Sequence, residues 1–124
     1  MPSEVPLTIL VAEDDEGVRN LILVALGRDG HNVVTVANGR EAMALLGDQN
    51  YVIDVLLSDV NMPVVGGLEL LEFARSTRPG LAVILASGTN RWELPADRID
   101  ANVALLEKPF TITQLSKAID QALG

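Results

Sequence analysis

Residues 52–67 read VIDVLLSDVNMPVVGG, and this stretch is the best guide to the fold of the whole chain. An apolar run, Val55 to Leu57, ends in Ser58 and the carboxylate of Asp59, before a loop with one proline and two glycines. A short apolar run bounded by turn residues is typical of a strand buried on both faces of a parallel sheet. A carboxylate directly after such a strand lies at the carboxyl edge of the sheet, where α/β proteins bind their ligands.

Three further apolar runs also end in polar or charged side chains. The run at 9–12 precedes Glu13, Asp14 and Asp15, the run at 81–86 precedes Ser87, and the run at 103–106 precedes Glu107 and Lys108. If these are neighbouring parallel strands, carboxylates, a hydroxyl and an ammonium meet at one edge of the sheet. Clustered carboxylates repel one another unless they bind a hard cation. A carboxylate beside a divalent cation, a lysine and a hydroxyl can accept a phosphoryl group.

Strand-like runs alternate with helical periodicity along the whole chain. Strands are predicted at 8–12, 32–37, 52–58, 81–86 and 103–106. Apolar residues at helical spacing are Val18, Leu21, Ile22, Ala25 and Leu26; Ala42, Leu45 and Leu46; Leu68, Leu71, Phe73 and Ala74; and Ile112, Leu115, Ile119 and Ala122 or Leu123. Asn38 and Thr111 are predicted helix N-caps, and Gly27 and Gly30 are predicted to close the first helix. The segment 90–102 is less regular, because Pro95 interrupts it.

Five β/α units without an internal linker predict one α/β domain, residues 1–124, which is long enough to build a single core. The expected architecture is a three-layer, doubly wound, five-stranded parallel sheet with right-handed crossovers. In the flavodoxin-like strand order 2-1-3-4-5, strand one lies beside strand three. This order would bring Glu13 and Asp14 next to Asp59.

The composition argues against several classes of function. The chain has 9 Lys and Arg against 17 Asp and Glu, and the net charge of −8 disfavours direct binding of DNA or RNA. It has no cysteine, which excludes disulfides, thiolate metal sites and cysteine nucleophiles. Its apolar runs are far shorter than the roughly 18 residues of a membrane span. The first four residues lack the features of a signal peptide, so we expect a cytoplasmic protein that does not enter a membrane.

Several short motifs occur in a particular order along the chain. They are ILVAEDD (9–15) followed by Arg19, ANGREA (37–42), DVLLSDVNMP (54–63) with two glycines behind it, and Ser87 followed by KPF (108–110). Each motif alone is weak evidence. Together, in this order and spacing, they resemble the receiver domain of two-component response regulators over essentially the whole chain. Aligned on Arg19, the acidic pair of the family is Glu13 and Asp14, and Asp15 is an additional acid.

The resemblance implies a phosphorylation site with a bound metal ion. Asp59 is expected to be the phosphoacceptor. Asp14 would bind Mg²⁺ directly and Glu13 through water or hydrogen bonds. Asp59 itself and the backbone carbonyl of Asn61 would complete the protein ligands.

The resemblance also implies how the phosphoryl group is received and used. Ser87 and Lys108 would contact the phosphoryl oxygens, and the peptide bond between Lys108 and Pro109 would be cis. The phosphodonor would be a histidine kinase or a histidine phosphotransfer protein, and phosphorylation would switch the domain between two packings for a downstream protein target. Any enzymatic action would be limited to assisting its own phosphorylation and autodephosphorylation.

Leu105 departs from the family pattern, because members commonly carry an aromatic residue at this position. The difference argues against a readout through an aromatic rotamer, but not against phosphorylation. A receiver-like interaction module that works without phosphorylation therefore stays open as an alternative. A flavodoxin-like cofactor enzyme is disfavoured, because the acids at 13–16 would repel a bare phosphate at the loop after strand one.

Two aromatic side chains and the extent of the protein are also open to interpretation. His31, the single histidine, is predicted to be an exposed loop residue without a role in phosphotransfer. Trp92 is as compatible with a partner contact as with covering a core edge. The chain is expected to be either a stand-alone receiver or the receiver of a longer kinase or regulator.

Overall fold

Strands and helices alternate along the chain as the sequence predicts. The computed structural model describes residues 6–62, 64–88 and 99–124, so the predictions for Pro63, Trp92 and Pro95 lie outside the described residues. The elements in these ranges are β1 (Thr8–Ala12), α1 (Glu16–Arg28), β2 (Asn32–Val36), α2 (Gly39–Leu46), β3 (Val55–Asp59), α3 (Gly67–Thr77), β4 (Ala82–Ser87), β5 (Val103–Glu107) and α4 (Ile112–Leu123). No helix among them is long and apolar enough to cross a membrane.

The strands form one parallel, five-stranded sheet in the order β2-β1-β3-β4-β5, which confirms the predicted fold class and strand order. In the register of the sheet, Ala12 pairs with Ser58, so the residues after β1 lie beside the end of β3. At the other side of β3, Asp59 pairs with Ala86. The carboxyl ends of these strands therefore share one edge.

The sheet separates two apolar cores, which makes three layers. Because successive side chains of a strand point to opposite faces, Ile9 and Val11 pack into one core with α1 and α4. Leu10 and Ala12 pack into the other core with α2 and α3. All four of these β1 side chains are at most 1% exposed, which explains why the strand is apolar from Ile9 to Ala12.

The predicted start of β3 is wrong by three residues. The sequence predicts a strand from residue 52, but the structure begins it at Val55. Val52 is 66% exposed and stays outside the core. Asp54 instead contacts the first residue of β1: its carboxylate accepts a hydrogen bond from Thr8 N at 2.8 Å. The other strand ends differ from the prediction by one residue at most. β2 stops at Val36, two residues before Asn38, the N-cap of α2.

The predicted helix ends are confirmed at three of four positions. The side chains of Asn38 and Thr111 accept hydrogen bonds from the first turns of α2 and α4, as N-caps do. Gly30 follows α1 with a φ of +87°, a left-handed conformation that glycine adopts without strain. Gly27, in contrast, lies inside α1, which continues to Arg28.

The buried faces of the helices are predicted in part. Leu21 in α1 and Ile112 at the start of α4 have the expected helical spacing, but they are 63% and 53% exposed. Leu70 and Ala118, which the sequence does not single out, are buried instead. Ala122, rather than Leu123, is the buried residue at the end of α4.

Candidate functional site

Three carboxylates meet at the carboxyl edge of the sheet. Glu13 and Asp14 follow β1, and Asp59 is the last residue of β3, the neighbouring strand. One carboxylate oxygen of each residue lies within 4.8 Å of the others. The prediction that strand order brings these acids together is thus confirmed, and their spacing suits oxygen ligands around one hard cation.

Lys108 enters the carboxylate cluster from the end of β5. Its Nζ atom donates to Glu13 Oε1 at 2.7 Å and to Asp59 Oδ2 at 3.2 Å. The backbone N of Lys108 also donates to Ser87 O at 2.7 Å, which ties the lysine to the end of β4. The Lys108–Pro109 peptide bond is cis, as the resemblance implies. The Lys108 ammonium thus bridges two acids, one that follows β1 and one at the end of β3.

Most of the side chains in the cluster are largely buried, and one acid is open to solvent. The side chains of Glu13, Asp59 and Lys108 are 4%, 11% and 22% exposed, whereas Asp14 is exposed. Burial raises the pKa of the Glu13 carboxyl group, although the hydrogen bond from Lys108 opposes the shift. Burial alone would lower the pKa of Lys108, but the hydrogen bond to Glu13 and the charge of Asp59 outweigh it, so this pKa is raised. Lys108 is therefore firmly cationic at neutral pH.

Asp15, the additional acid of the sequence motif, has a structural task. Its carboxylate caps α1 by accepting a hydrogen bond from Val18 N at 3.0 Å. Its own backbone N donates to Glu13 Oε2 at 3.2 Å. Asp15 therefore does not join the carboxylate cluster but helps to orient Glu13 within it.

Arg19 contributes a contact that the sequence reasoning missed. Its Nη1 atom donates to the backbone carbonyl of Glu13 at 2.9 Å. From the sequence, Arg19 is useful only for aligning the acidic pair with the family motif. Residue spacing does not show that the side chain of an arginine in the first turn of α1 reaches back to the loop before the helix.

The loop after Asp59 is packed tightly against α3. Asn61 N lies 3.4 Å from Asp59 Oδ1. Gly67, the first residue of α3, donates to Val60 O at 2.9 Å, and a Cβ atom at this position would lie 2.6 Å from Asp59 O. Only glycine permits this approach, so the start of α3 fixes the backbone of the Asp59 segment.

Ser87 and His31 lie at opposite ends of the sheet. Ser87 is the buried last residue of β4, one position beyond the residue that pairs with Asp59, and so lies at the edge that carries the carboxylates. His31 precedes β2 at the other edge and is half-buried, and its Nδ1 atom accepts a hydrogen bond from Leu7 N at 3.1 Å. The prediction of an exposed histidine is therefore wrong, because the imidazole completes the start of β1.

The fold and the site together define a class: a doubly wound α/β domain with a lysine-bridged carboxylate cluster at its strand ends. Residues 9–120 match the family model described as the response regulator receiver domain. The chain belongs to this family. Its members are phosphorylation-dependent signalling switches of two-component systems rather than classical enzymes.

Similar proteins include both stand-alone and much longer chains. The response regulator receiver protein CpdR of Brucella abortus is 31% identical over 116 residues, which are 93% of this chain and 95% of that protein. The sensor kinase CckA of Brucella abortus is 34% identical over 120 residues, 94% of this chain but 12% of the kinase. The transcriptional regulator NtrC of Azospirillum brasilense is 32% identical, and the matched part is 24% of its length. The chain thus spans a small fraction of these two longer relatives.

Solved structures support the same relationship. A response regulator receiver protein from Sinorhizobium medicae superposes with a TM-score of 0.86 at 29% identity, covering 98% of this chain and 97% of that one. The receiver domain of the hybrid histidine kinase CckA has a TM-score of 0.78 at 32% identity, with 94% and 99% of the two chains covered.

Proposed function

We propose that this protein is a cytoplasmic phosphorylation switch whose Asp59 accepts a phosphoryl group, with Mg²⁺, from a phosphohistidine of a histidine kinase or a histidine phosphotransfer protein. The observation that carries the proposal is the convergence of Glu13, Asp14 and Asp59 within 4.8 Å, with Lys108 bridging two of them. We propose one receiver domain over residues 1–124, either alone or as part of a longer chain.

The donor set of the cluster fits Mg²⁺. Mg²⁺ takes hard oxygen ligands, and it usually keeps several waters beside one or two carboxylates. Asp14 and Asp59 would be direct ligands together with the backbone carbonyl of Asn61, and Glu13 would act through water. Bound there, Mg²⁺ would supply positive charge that offsets the repulsion between the carboxylates and an incoming phosphate.

Asp59 is the acid best suited to attack. It is the last residue of a buried strand, its side chain is 11% exposed, and the backbone behind it is held by the start of α3. In the proposed step, a carboxylate oxygen of Asp59 bonds to phosphorus while the P–N bond of the phosphohistidine breaks. The bonding electron pair leaves with the imidazole nitrogen, which then takes up a proton.

Lys108 and Ser87 would respond to the new charge. Lys108 now pairs with the carboxylates of Glu13 and Asp59, and its ammonium would follow an oxygen of the phosphoryl group. The Ser87 hydroxyl, at the same edge, would donate a hydrogen bond to another oxygen. Because the backbone N of Lys108 donates a hydrogen bond to Ser87 O, these movements would shift the ends of β4 and β5 together. The shift would change the surface that a downstream protein contacts. The same groups would assist slow autodephosphorylation.

Phosphorylation of the intact protein tests the proposal directly. With acetyl phosphate and Mg²⁺, the wild type should gain the mass of one phosphoryl group, stable in acid but released by base and by hydroxylamine. Asp59→Asn should gain none. Asp120→Asn removes a carboxylate from the exposed side of α4 and serves as the matched control, which should be modified like the wild type.

A different result would favour the phosphorylation-independent interaction module. If the wild type binds Mg²⁺ but never gains mass, even with a phosphorylated histidine phosphotransfer protein, Asp59 is not a phosphoacceptor. The observation in favour of this second function is Leu105, which is 38% exposed on β5 in place of the aromatic residue of other members.

A further inference from the structure

Arg19 reaches back from α1 to the loop that carries the acidic pair. Its backbone belongs to the first turn of the helix, where its N donates to Asp15 O at 2.9 Å. Its half-buried guanidinium donates to Glu13 O at 2.9 Å. The bond is made to the backbone of the loop and not to a carboxylate, so its effect on the site is geometric as well as electrostatic.

The carbonyl that Arg19 holds belongs to the peptide group between Glu13 and Asp14. Because a peptide group is planar, fixing its oxygen fixes the direction in which the chain enters Asp14. On the other side of Glu13, the backbone N donates to Val36 O at 3.1 Å. The loop is therefore pinned on both sides of Glu13, immediately before the exposed acid of the cluster.

We propose that Arg19 is a positioning residue for the metal site: it orients the Glu13–Asp14 peptide so that the Asp14 carboxylate faces Asp59. This inference rests on the proposed function, in which Asp14 and Asp59 bind Mg²⁺. Residues that orient metal ligands from behind commonly change metal affinity by about 10–100-fold when they are removed.

Charge and geometry predict opposite effects for the loss of Arg19. A guanidinium close to a cation site repels the cation, so removing it should tighten Mg²⁺ binding if Arg19 acts only through its charge. If Arg19 positions Asp14, its removal should weaken binding in spite of the lost repulsion. The sign of the change therefore separates the two roles.

The experiment is a calorimetric titration of the purified protein with Mg²⁺, which requires no phosphodonor. We expect Arg19→Ala to bind Mg²⁺ about 10-fold more weakly than the wild type. Arg19→Lys, which keeps the charge and offers N–H donors on a side chain one bond shorter, should bind more tightly than Arg19→Ala. Arg28→Ala removes the same charge from the exposed last turn of α1, about 13 Å further along the helix, and should bind Mg²⁺ like the wild type.

Tighter or unchanged binding by Arg19→Ala would overturn the inference, as would Arg19→Lys binding more weakly than Arg19→Ala. Circular dichroism checks that each variant is folded. If Arg19→Ala does not fold, the neutral variant Arg19→Gln takes its place with the same two opposite expectations. Failure of the proposed function has a separate signature: the wild type itself would bind no Mg²⁺ or accept no phosphoryl group.

Discussion

Val64 has a backbone conformation that suits its side chain poorly. Among the residues that the structure describes, it is the only one other than glycine with a positive φ, at 71°. A branched Cβ atom is strongly disfavoured in this left-handed region. The side chain is also 71% exposed, so burial in the core does not compensate for the strain. Backbone strain of this kind is concentrated near functional sites, and Val64 lies in the loop after Asp59.

Replacing Val64 with glycine should stabilise the protein. Relief of the left-handed strain outweighs the extra backbone freedom that glycine has in the unfolded chain, so Val64→Gly should raise the free energy of unfolding by about 1 kcal/mol. Urea denaturation measures this. Val52→Gly is the matched control, because Val52 is 66% exposed and does not have a positive φ. It should lower stability, and equal effects of the two variants would contradict the prediction.

The sequence predicts the residues that meet at the candidate site better than the residues that support them. Asp59 and Lys108 follow apolar strands whose ends must share one edge of a parallel sheet, so their meeting follows from topology. The capping by Asp15 and the backbone contact of Arg19 depend on how α1 begins, which spacing does not reveal. The exposure of His31 is predicted wrongly for a different reason: the imidazole accepts a hydrogen bond from the backbone N of Leu7, 24 residues away, and local sequence does not reveal so distant a partner.

At the scale of elements, Arg78 joins the end of α3 to the end of α2. Its guanidinium donates to backbone carbonyls of Leu46 at 3.0 Å, Asp48 at 2.7 Å and Tyr51 at 2.6 Å. Carbonyls at the end of a helix lack partners within the helix, and a positive charge there also interacts favourably with the helix dipole. One side chain thus completes the end of α2 and the segment that leads to β3.

Loss of the Arg78 charge should destabilise the protein strongly. Arg78→Met keeps most of the aliphatic stem but leaves several carbonyls without a donor, so the free energy of unfolding should fall by about 2–3 kcal/mol. Urea denaturation tests this, and hydrogen exchange should show loss of protection at 47–54 first. Arg40→Met, at an exposed position of α2, should change stability little. Similar losses in both variants would show that the carbonyl contacts contribute little.

Arg75 and Asp100 form a second connection, between α3 and the segment before β5. Arg75 Nη2 donates to Asp100 Oδ1 at 3.0 Å, and its Nη1 donates to Leu81 O at 2.8 Å. The hydrogen bond from Arg75 holds the pKa of Asp100 below its ordinary value, although burial opposes the shift. The charged pair therefore stabilises the fold at pH values above the unfolded pKa of Asp, and this stabilisation is lost as the pH falls through the lower pKa of the folded state.

Asp100→Asn should reveal this pH dependence. Since the Asp100 side chain is 47% exposed, the variant should lose at most about 1 kcal/mol near neutral pH and little in strong acid. The measurement is urea denaturation of the wild type and of Asp100→Asn at pH values from neutral to strongly acidic. Asp48→Asn is the control. Like Asp100, Asp48 accepts a hydrogen bond through its carboxylate from the backbone N two residues later, at 3.0 Å for Asp48. The neighbouring arginine, Arg78, contacts the backbone carbonyl of Asp48 and not its carboxylate. A constant difference across pH would show that Arg75 has no electrostatic role.

The type and order of the elements could be predicted because periodicity and strand ends are local signals. The bounds of β1 are predicted correctly, since β-branched and apolar residues run from Thr8 to Ala12 between Pro6 and the acids that begin at Glu13. The start of β3 is not, because Val52 continues the apolar pattern although it lies outside the core. Helical spacing also includes Leu21 and Ile112, which are exposed, since spacing indicates a helix face but not how far a neighbouring element covers it.

At the scale of the whole molecule, three carboxylates against one ammonium leave an excess of negative charge at one edge of the sheet. Mg²⁺ binding should therefore stabilise the fold. At a free concentration 100 times Kd, the expected gain is about 2.7 kcal/mol, seen as a rise in Tm that EDTA reverses. Asp14→Asn should be more stable than the wild type without Mg²⁺, since it removes one repelling charge, and should gain little from Mg²⁺. A wild-type Tm that does not respond to Mg²⁺ would contradict this prediction.

The hydrogen bond between Glu13 and Lys108 joins residues 95 positions apart in the chain. Closing so long a loop is entropically costly until the intervening strands are in register. A refolding chain should recover its helical circular dichroism before it can capture a divalent cation, because helices form locally and fast. The Lys108 ammonium would reach the two acids only once β5 has joined the sheet, so a nascent chain that still lacks β5 would leave Glu13 and Asp59 without their cationic partner.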